Sequence, residues 1–158
     1  MKRAAALLSL WAVVVSGPIL AQDAPLADPL VERGYQYFYN LEFPEALTAF
    51  REEVAQHPNW PDAYNHVAHA ILYREMFRSG ALESELVTGS NPFLRREGLS
   101  PSKKDDQEFQ DSINRSLALC EARLQANPDD VEALYAEGVS YGLRGNYHFL
   151  VRKAYSDA

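Results

Sequence analysis

The stretch QHPNWPDAY at residues 56–64 recurs in altered form as ANPDDVEALY at residues 126–135. In each copy a proline follows the end of a helical pattern, and an acidic residue with apolar neighbours opens the next pattern. Proline lacks a backbone N–H and disfavours helical conformation in the residue before it, so Pro58 and Pro128 mark helix ends. The two copies therefore predict two equivalent helix-to-helix turns.

Outward from these turns, apolar and small residues recur every three or four positions, which is typical of helices that bury one face. The residues on these predicted faces are Leu30, Gly34, Tyr37, Ala46, Phe50, Val54, Tyr64, Val67, Ala68, Ile71, Phe109, Ile113, Leu117, Cys120, Leu124, Leu134, Gly138 and Tyr141. The valine-rich alternation that a sheet requires is absent, so the spacing predicts an all-α fold.

The same pattern sets the expected boundaries of the helices. A turn is predicted over residues 40–44, a helix over about 62–77, and a long helix over about 102–126 that Ser100 and Pro101 open. A further turn is predicted over residues 144–147, leading into a last helix.

These residues carry a resemblance to the tetratricopeptide repeat family, whose unit is about 34 residues and two antiparallel helices with a small residue where the helices cross. Residues 27–60 resemble a whole unit, with Gly34 at the crossing, although Glu53 stands where the family prefers Ala. Residues 61–130 resemble a second unit and 131–158 an incomplete third. The resemblance implies a short right-handed α-solenoid in which Gly34, Ala68 and Gly138 occupy equivalent tight crossings.

The second unit is about twice the length of one repeat, because residues from about 78 to 101 carry an insertion interrupted by glycine and proline. We interpret it as a long inter-helix loop, and a degenerate fourth repeat is the alternative. Phe149, Val151 and Tyr155 of the third unit lack a following helix to pack against, so the pattern also allows self-stacking or a longer native chain.

Residues 1–21 have the features of an export signal: a basic start, an apolar run from Ala4 to Val15, and Ala21 before a polar segment. The apolar run is shorter than the roughly 20 residues that span a bilayer, so an uncleaved anchor is the less favoured alternative. We expect cleavage near Ala21, a linker over 22–26, and an extracytoplasmic mature protein, periplasmic or secreted, without stable membrane insertion.

The composition, net charge and cysteine content of the chain exclude several classes of function. The hydrophobic fraction of 47% in 158 residues predicts one packed domain. The net charge of −7 provides no basic surface for phosphates, so a nucleic-acid partner is not expected. The single Cys120 cannot form an internal disulfide or a thiolate zinc site, and its place on an apolar stripe predicts a buried, inert thiol.

No motif for catalysis or for a cofactor is present. His66 and His69 share a helix face, but no third ligand follows at a metal-binding spacing, so one is interpreted as a polar groove residue and the other as a surface residue. A metal-dependent enzyme that uses both is a minor alternative. The carboxylates Glu45, Glu52, Glu53, Glu121 and Asp129 are interpreted as a solvated face. The sequence thus predicts no catalytic residue, no metal and no cofactor.

The resemblance implies that the first helix of each unit lines a concave binding surface. The positions carried over to this surface as partner-binding residues are Tyr35, Phe38, Tyr39, Asn65, His69, Tyr73, Tyr135 and Val139. The Lys and Asn with which some relatives hold a C-terminal carboxylate are missing, since Val31 and Tyr35 stand there. We expect a non-enzymatic scaffold that binds a protein or peptide. The alternative is an architectural segment of a larger envelope protein or enzyme, in which these tyrosines only pack internally.

Overall fold

The computed structural model describes residues 28–80, 82 and 99–152, which form helices and turns without a strand. The predicted all-α fold is confirmed. The helices are α1 (Pro29–Tyr39), α2 (Phe43–Gln56), α3 (Pro61–Arg78), α4 (Lys103–Ala126) and α5 (Val131–Asn146), and a π-helical segment (Tyr147–Arg152) follows α5 directly. The predicted signal peptide, the linker over 22–26 and most of the insertion lie outside the described residues.

Among the described residues, none of the helices combines the length and the apolar character that crossing a bilayer requires.

The two related stretches form the same turn. The N–H of Trp60 donates to the carbonyl of His57 at 3.0 Å, and the N–H of Asp130 donates to the carbonyl of Asn127 at 3.1 Å. Helix α3 then begins with Pro61, and α5 begins after Asp130, whose carboxylate accepts from the N–H of Ala133. The prediction of two equivalent helix-to-helix turns is therefore confirmed.

Polar side chains fix two further helix starts. The carboxylate of Asp28 accepts the N–H of Leu30 at the start of α1 at 2.8 Å. Helix α4 begins two residues later than the Ser100-Pro101 prediction, because the hydroxyl of Ser102 accepts the N–H of Asp105 at 3.1 Å and so caps the first turn.

Helix α3 is the centre of the fold, since it packs against α2, α4, α5 and the π-helical segment. Its buried residues surround the helix instead of forming one stripe: Ala63, Asn65, Val67, Ala68, Ala70, Ile71, Leu72 and Glu75. The core continues through Phe50 on α2, Phe109 and Ile113 on α4, and Tyr147.

Gly34 lies at a tight crossing of α1 and α2, as predicted. A Cβ built there would lie 2.7 Å from Cδ1 and 2.8 Å from Cζ of Phe50, which is fully buried. Ala68 is also fully buried. Only a hydrogen at Gly34 lets the two helices approach this closely.

The predicted face of the third unit is wrong for the described part of the chain. Gly138 is exposed, and no heavy atom of the described residues lies within 4 Å of a Cβ built on it. Leu134 and Tyr141 are also exposed. The buried residues of α5 are instead Ala133, Ala136, Ser140 and Leu143. They pack towards α3 and α4, so α5 buries the face one position away from the predicted stripe.

The predicted turn over residues 144–147 is also wrong, because the chain stays helical from α5 into the π-helical segment. The ring of Tyr147 stacks on Phe109 with centroids 3.9 Å apart, and its hydroxyl donates to Asp106 at 3.0 Å. The carbonyl of buried Val151 accepts the N–H of Leu99 at 2.7 Å. The burial of Tyr147 and Val151 against the core favours continuation of the helix over a turn at Gly145.

Candidate recognition site

Helices α1, α3 and α5 surround a cavity of about 190 Å³, which we call the α1–α3–α5 cavity. Its lining residues are Tyr35, Asp62, Asn65, His66, His69, Tyr135, Val139 and Leu143. Helical spacing explains why these residues lie together. The four from α3 are residues 62, 65, 66 and 69, and the three from α5 are residues 135, 139 and 143, so each group lies on one side of its helix. Each helix thus presents one face to the cavity.

Five of the eight predicted partner-binding residues line this cavity, namely Tyr35, Asn65, His69, Tyr135 and Val139. The other three, Phe38, Tyr39 and Tyr73, extend it as an aromatic strip. Tyr39 stacks on Tyr35 with centroids 5.9 Å apart. The ring of His69 lies 4.7 Å from those of both Phe38 and Tyr73. The structure therefore brings all eight residues into one connected cluster, in which Phe38 and Asn65 are buried.

Exposure separates the roles that these aromatic residues can have. Tyr39 and Tyr135 are 76% and 69% exposed, so both are accessible to a partner. Phe38 is only 5% exposed and belongs to the core, where it supports the strip from below. Tyr35 and Tyr73 are half-buried and pack against the core. Substitution of the two exposed tyrosines is therefore the sharper probe of binding.

Asn65 holds the wall of the cavity in place. Its side-chain amide donates to the carbonyl of Ala136 at 2.9 Å, and its side-chain oxygen lies 2.7 Å from the hydroxyl of Ser140. That hydroxyl is also 2.9 Å from the hydroxyl of Ser116 on α4. Because the three side chains are buried, this network ties α3, α4 and α5 together. Asn65 thus acts mainly on the spacing of the cavity walls.

Sequence reasoning missed the pair formed by Glu53 and His66. Glu53 is fully buried, which contradicts its interpretation as part of a solvated face; Glu45, Glu52, Glu121 and Asp129 are exposed as predicted. The carboxyl group of Glu53 lies 2.9 Å and 3.1 Å from Nδ1 of His66, within hydrogen-bonding distance. The burial of Glu53 could have been predicted from its position in the sequence. Residue 53 continues the apolar stripe of Ala46 and Phe50, and the tetratricopeptide repeat family prefers Ala there.

Burial shifts the pKa values of several titratable side chains that line the cavity. It lowers the pKa of His69 to about 4, with a smaller contribution from nearby His66, so His69 is neutral at pH 7. Burial also raises the pKa of Tyr35, and the nearby Tyr39 and Glu53 add to this effect. The pKa of Asp62 is raised as well, chiefly by burial, although His66 and a hydrogen bond from Asn65 oppose the change.

The side chains of the cavity offer aromatic faces, hydrogen-bonding groups and a carboxylate. In the described ranges 28–80, 82 and 99–152, no three His, Cys, Asp or Glu side chains are grouped so as to hold a metal ion. Cys120 is buried, as predicted, and does not line the cavity; burial raises the pKa of its thiol. The arrangement is suited to non-covalent recognition.

Comparison of the chain with protein-family models, with curated proteins and with solved structures finds no match.

Proposed function

We propose that this protein is an exported, non-enzymatic scaffold of the tetratricopeptide-repeat type that binds a protein or peptide segment at the α1–α3–α5 cavity. The observation that carries the proposal is the convergence of independently assigned residues. Five positions that the sequence resemblance assigned to a concave binding surface line one cavity, and the other three adjoin it. The export step rests on the signal-like residues 1–21.

Two properties of the site support recognition. Exposed Tyr39 and Tyr135 provide apolar area with a polar tip at a low cost in side-chain entropy, which is typical of residues that dominate binding energy. The walls are fixed by the buried hydrogen bonds of Asn65, so little ordering is needed when a ligand enters. A preformed cavity with an accessible aromatic rim favours a peptide segment as the ligand.

The experiment is a selection of peptides from a random display library against the purified chain from residue 22, followed by affinity measurements on the selected peptides. We expect Tyr135→Ala and Tyr39→Ala each to weaken binding by about tenfold or more while the helical circular dichroism signal is retained. Tyr141→Ala is the matched control, because Tyr141 lies on the same helix as Tyr135, is 51% exposed and does not line the cavity. Equal losses in Tyr135→Ala and Tyr141→Ala, or no selected peptide, would contradict the proposal.

A second candidate function is architectural, and one observation favours it. Val131, Leu134 and Tyr141 form an exposed apolar face on α5, with Gly138 between them. Packing of this face against a second copy of the chain would remove apolar area from water at about 25 cal/mol per Å². Sedimentation over a wide concentration range tests it: self-association that Leu134→Glu abolishes would support the architectural role, and a monomer throughout would exclude self-stacking.

A further inference from the structure

The charges around the α1–α3–α5 cavity are unbalanced. Asp62 contributes a carboxylate to the lining, whereas no Lys or Arg is among the lining residues. Asp62 forms no salt bridge with any residue that the structure describes. Among the described residues, the cavity therefore holds a carboxylate that no lining Lys or Arg neutralises.

Neighbouring basic groups do not supply the neutralising cation. Arg123, whose charge acts on Asp62 from outside the cavity, makes two hydrogen bonds to Asp130 at 2.8 Å and 2.9 Å and a third to Glu132 at 3.0 Å. His69 is neutral at pH 7 because it is buried. His66 also lines the cavity and opposes the rise in the pKa of Asp62, but its Nδ1 is hydrogen-bonded to buried Glu53. A cation that enters the cavity would be the partner that Asp62 lacks.

The aromatic lining suits the same ligand. Tyr35 lines the cavity on α1 and Tyr135 lines it on α5, and the face of a tyrosine ring attracts a cation within about 6 Å of its centre. The volume of about 190 Å³ is smaller than the ~300–1,000 Å³ of pockets that enclose drug-sized ligands. Such a volume fits one long side chain better than a larger ligand.

From this charge complementarity we propose that the α1–α3–α5 cavity takes up an arginine or lysine side chain of the bound segment, with Asp62 as its ionic partner and Tyr35 and Tyr135 against its apolar stem and charged head. This inference rests on the proposed peptide-binding function and adds the chemistry of the ligand. An arginine is favoured over a lysine, because its planar guanidinium pairs with a carboxylate through two hydrogen bonds and stacks on aromatic rings. A carboxylate ligand is disfavoured, since it would face Asp62 without a cation.

The test uses four defined probes titrated into the isotope-labelled chain from residue 22 and followed by amide NMR shifts: N-acetyl-arginine amide and the corresponding lysine, citrulline and glutamate amides. Citrulline matches arginine in shape and lacks its charge. We expect the arginine probe to shift the amides of α3 and α5 around the cavity and to bind at least about tenfold more tightly than citrulline. The glutamate probe should bind most weakly. Citrulline binding equal to arginine binding would overturn the inference, and this comparison needs no variant.

Asp62→Asn removes the charge and nearly keeps the shape, and it should weaken the arginine probe by about tenfold while it leaves the citrulline probe unchanged. Asp129→Asn is the matched control, since Asp129 is exposed in the turn before α5 and does not line the cavity. Equal weakening by both substitutions would refute a specific role of Asp62. If selected peptides bind through Tyr135 but show no preference for basic residues, only the charge inference fails; if no peptide binds, the proposed function fails as well.

Discussion

The same substitution, glycine to alanine, can be made at Gly34, which is tightly packed, and at Gly138, which is open. Both glycines were predicted at equivalent helix crossings, yet a Cβ at Gly34 would overlap the ring of Phe50, whereas at Gly138 no described atom lies within 4 Å. The ring of Phe50 cannot move aside easily, because it is fully buried and lies 5.2 Å from the ring of Tyr35 and 5.3 Å from that of His66. Gly34→Ala should therefore destabilise the protein, and Gly138→Ala should not.

The magnitudes follow from two opposing effects. Carbon atoms pack best about 3.5–4.0 Å apart, and the added methyl group would approach Cδ1 and Cζ of Phe50 to 2.7 Å and 2.8 Å. Overpacking of this kind costs about 1–3 kcal/mol, and the severe overlap places the cost near 3 kcal/mol. Replacing glycine by alanine in a helix returns about 0.5–1 kcal/mol. We expect Gly34→Ala to lose about 2 kcal/mol and Gly138→Ala to gain about 0.5–1 kcal/mol.

Urea unfolding followed by circular dichroism at 222 nm measures both changes. With a slope of about 1–3 kcal/mol per molar urea, the two midpoints should move in opposite directions, and that of Gly34→Ala should fall by about 1 M. Phe50→Leu supplies a second test, because the smaller side chain makes room for the methyl group. In that background Gly34→Ala should cost at least about 1 kcal/mol less than in the wild type.

Three results would refute this reasoning. They are a Gly34→Ala protein as stable as the wild type, an undiminished cost of that substitution in the Phe50→Leu background, and a Gly138→Ala protein that loses stability.

Three further predictions concern the buried pair, the cavity and the N-terminus. Glu53→Ala should lower the free energy of unfolding in urea by about 3 kcal/mol, because it leaves a cavity and an unpaired Nδ1 on His66. Exposed Glu52→Ala should lower it by under about 1 kcal/mol, and similar losses in the two variants would contradict the burial of Glu53. The pKa of His69 is lower in the folded state (about 4) than in the unfolded chain (6.5), so the unfolded chain binds a proton first as the pH falls. The contribution of His69 to folding stability is therefore complete above pH 6.5 and is lost as the pH falls towards 4. After a discount for partial exposure, the free energy of unfolding should fall by about 2 kcal/mol, and this fall should be absent from His69→Gln. A His69→Gln variant that is as sensitive to acid as the wild type would contradict the lowered pKa of His69. Mass spectrometry of exported protein should give a chain that begins near Gln22, and a full-length membrane-bound product would favour the anchor.

The helices and their joints were readable from the sequence because they depend on local chemistry. Proline cannot donate a backbone hydrogen bond, so Pro58 and Pro128 mark the same turn in both copies without reference to distant residues. Three- and four-residue spacing likewise depends only on helix geometry, and it identified the core positions Phe50, Phe109 and Ile113. Most of the cavity lining could also be listed in advance, since residues on one helix face necessarily lie together.

The predictions for residues 131–147 were wrong where contact with a neighbouring helix selects between two local structures that the sequence allows equally. Helix α5 carries apolar and small residues on two adjacent faces, and contact with α3 and α4 selected the one with Ala133, Ala136 and Ser140. Stacking of Tyr147 on Phe109 kept the chain helical where Gly145 had suggested a turn.

The chain by itself determined an all-α fold, the helix ends at the two related turns and the identity of most residues around one cavity. Only the tertiary structure decided that Glu53 is buried, that His69 is neutral and that Asp62 lacks a salt bridge among the described residues. The reason is physical: helix formation follows from bonds between residues four positions apart, whereas burial and charge depend on which distant side chains displace water from a group.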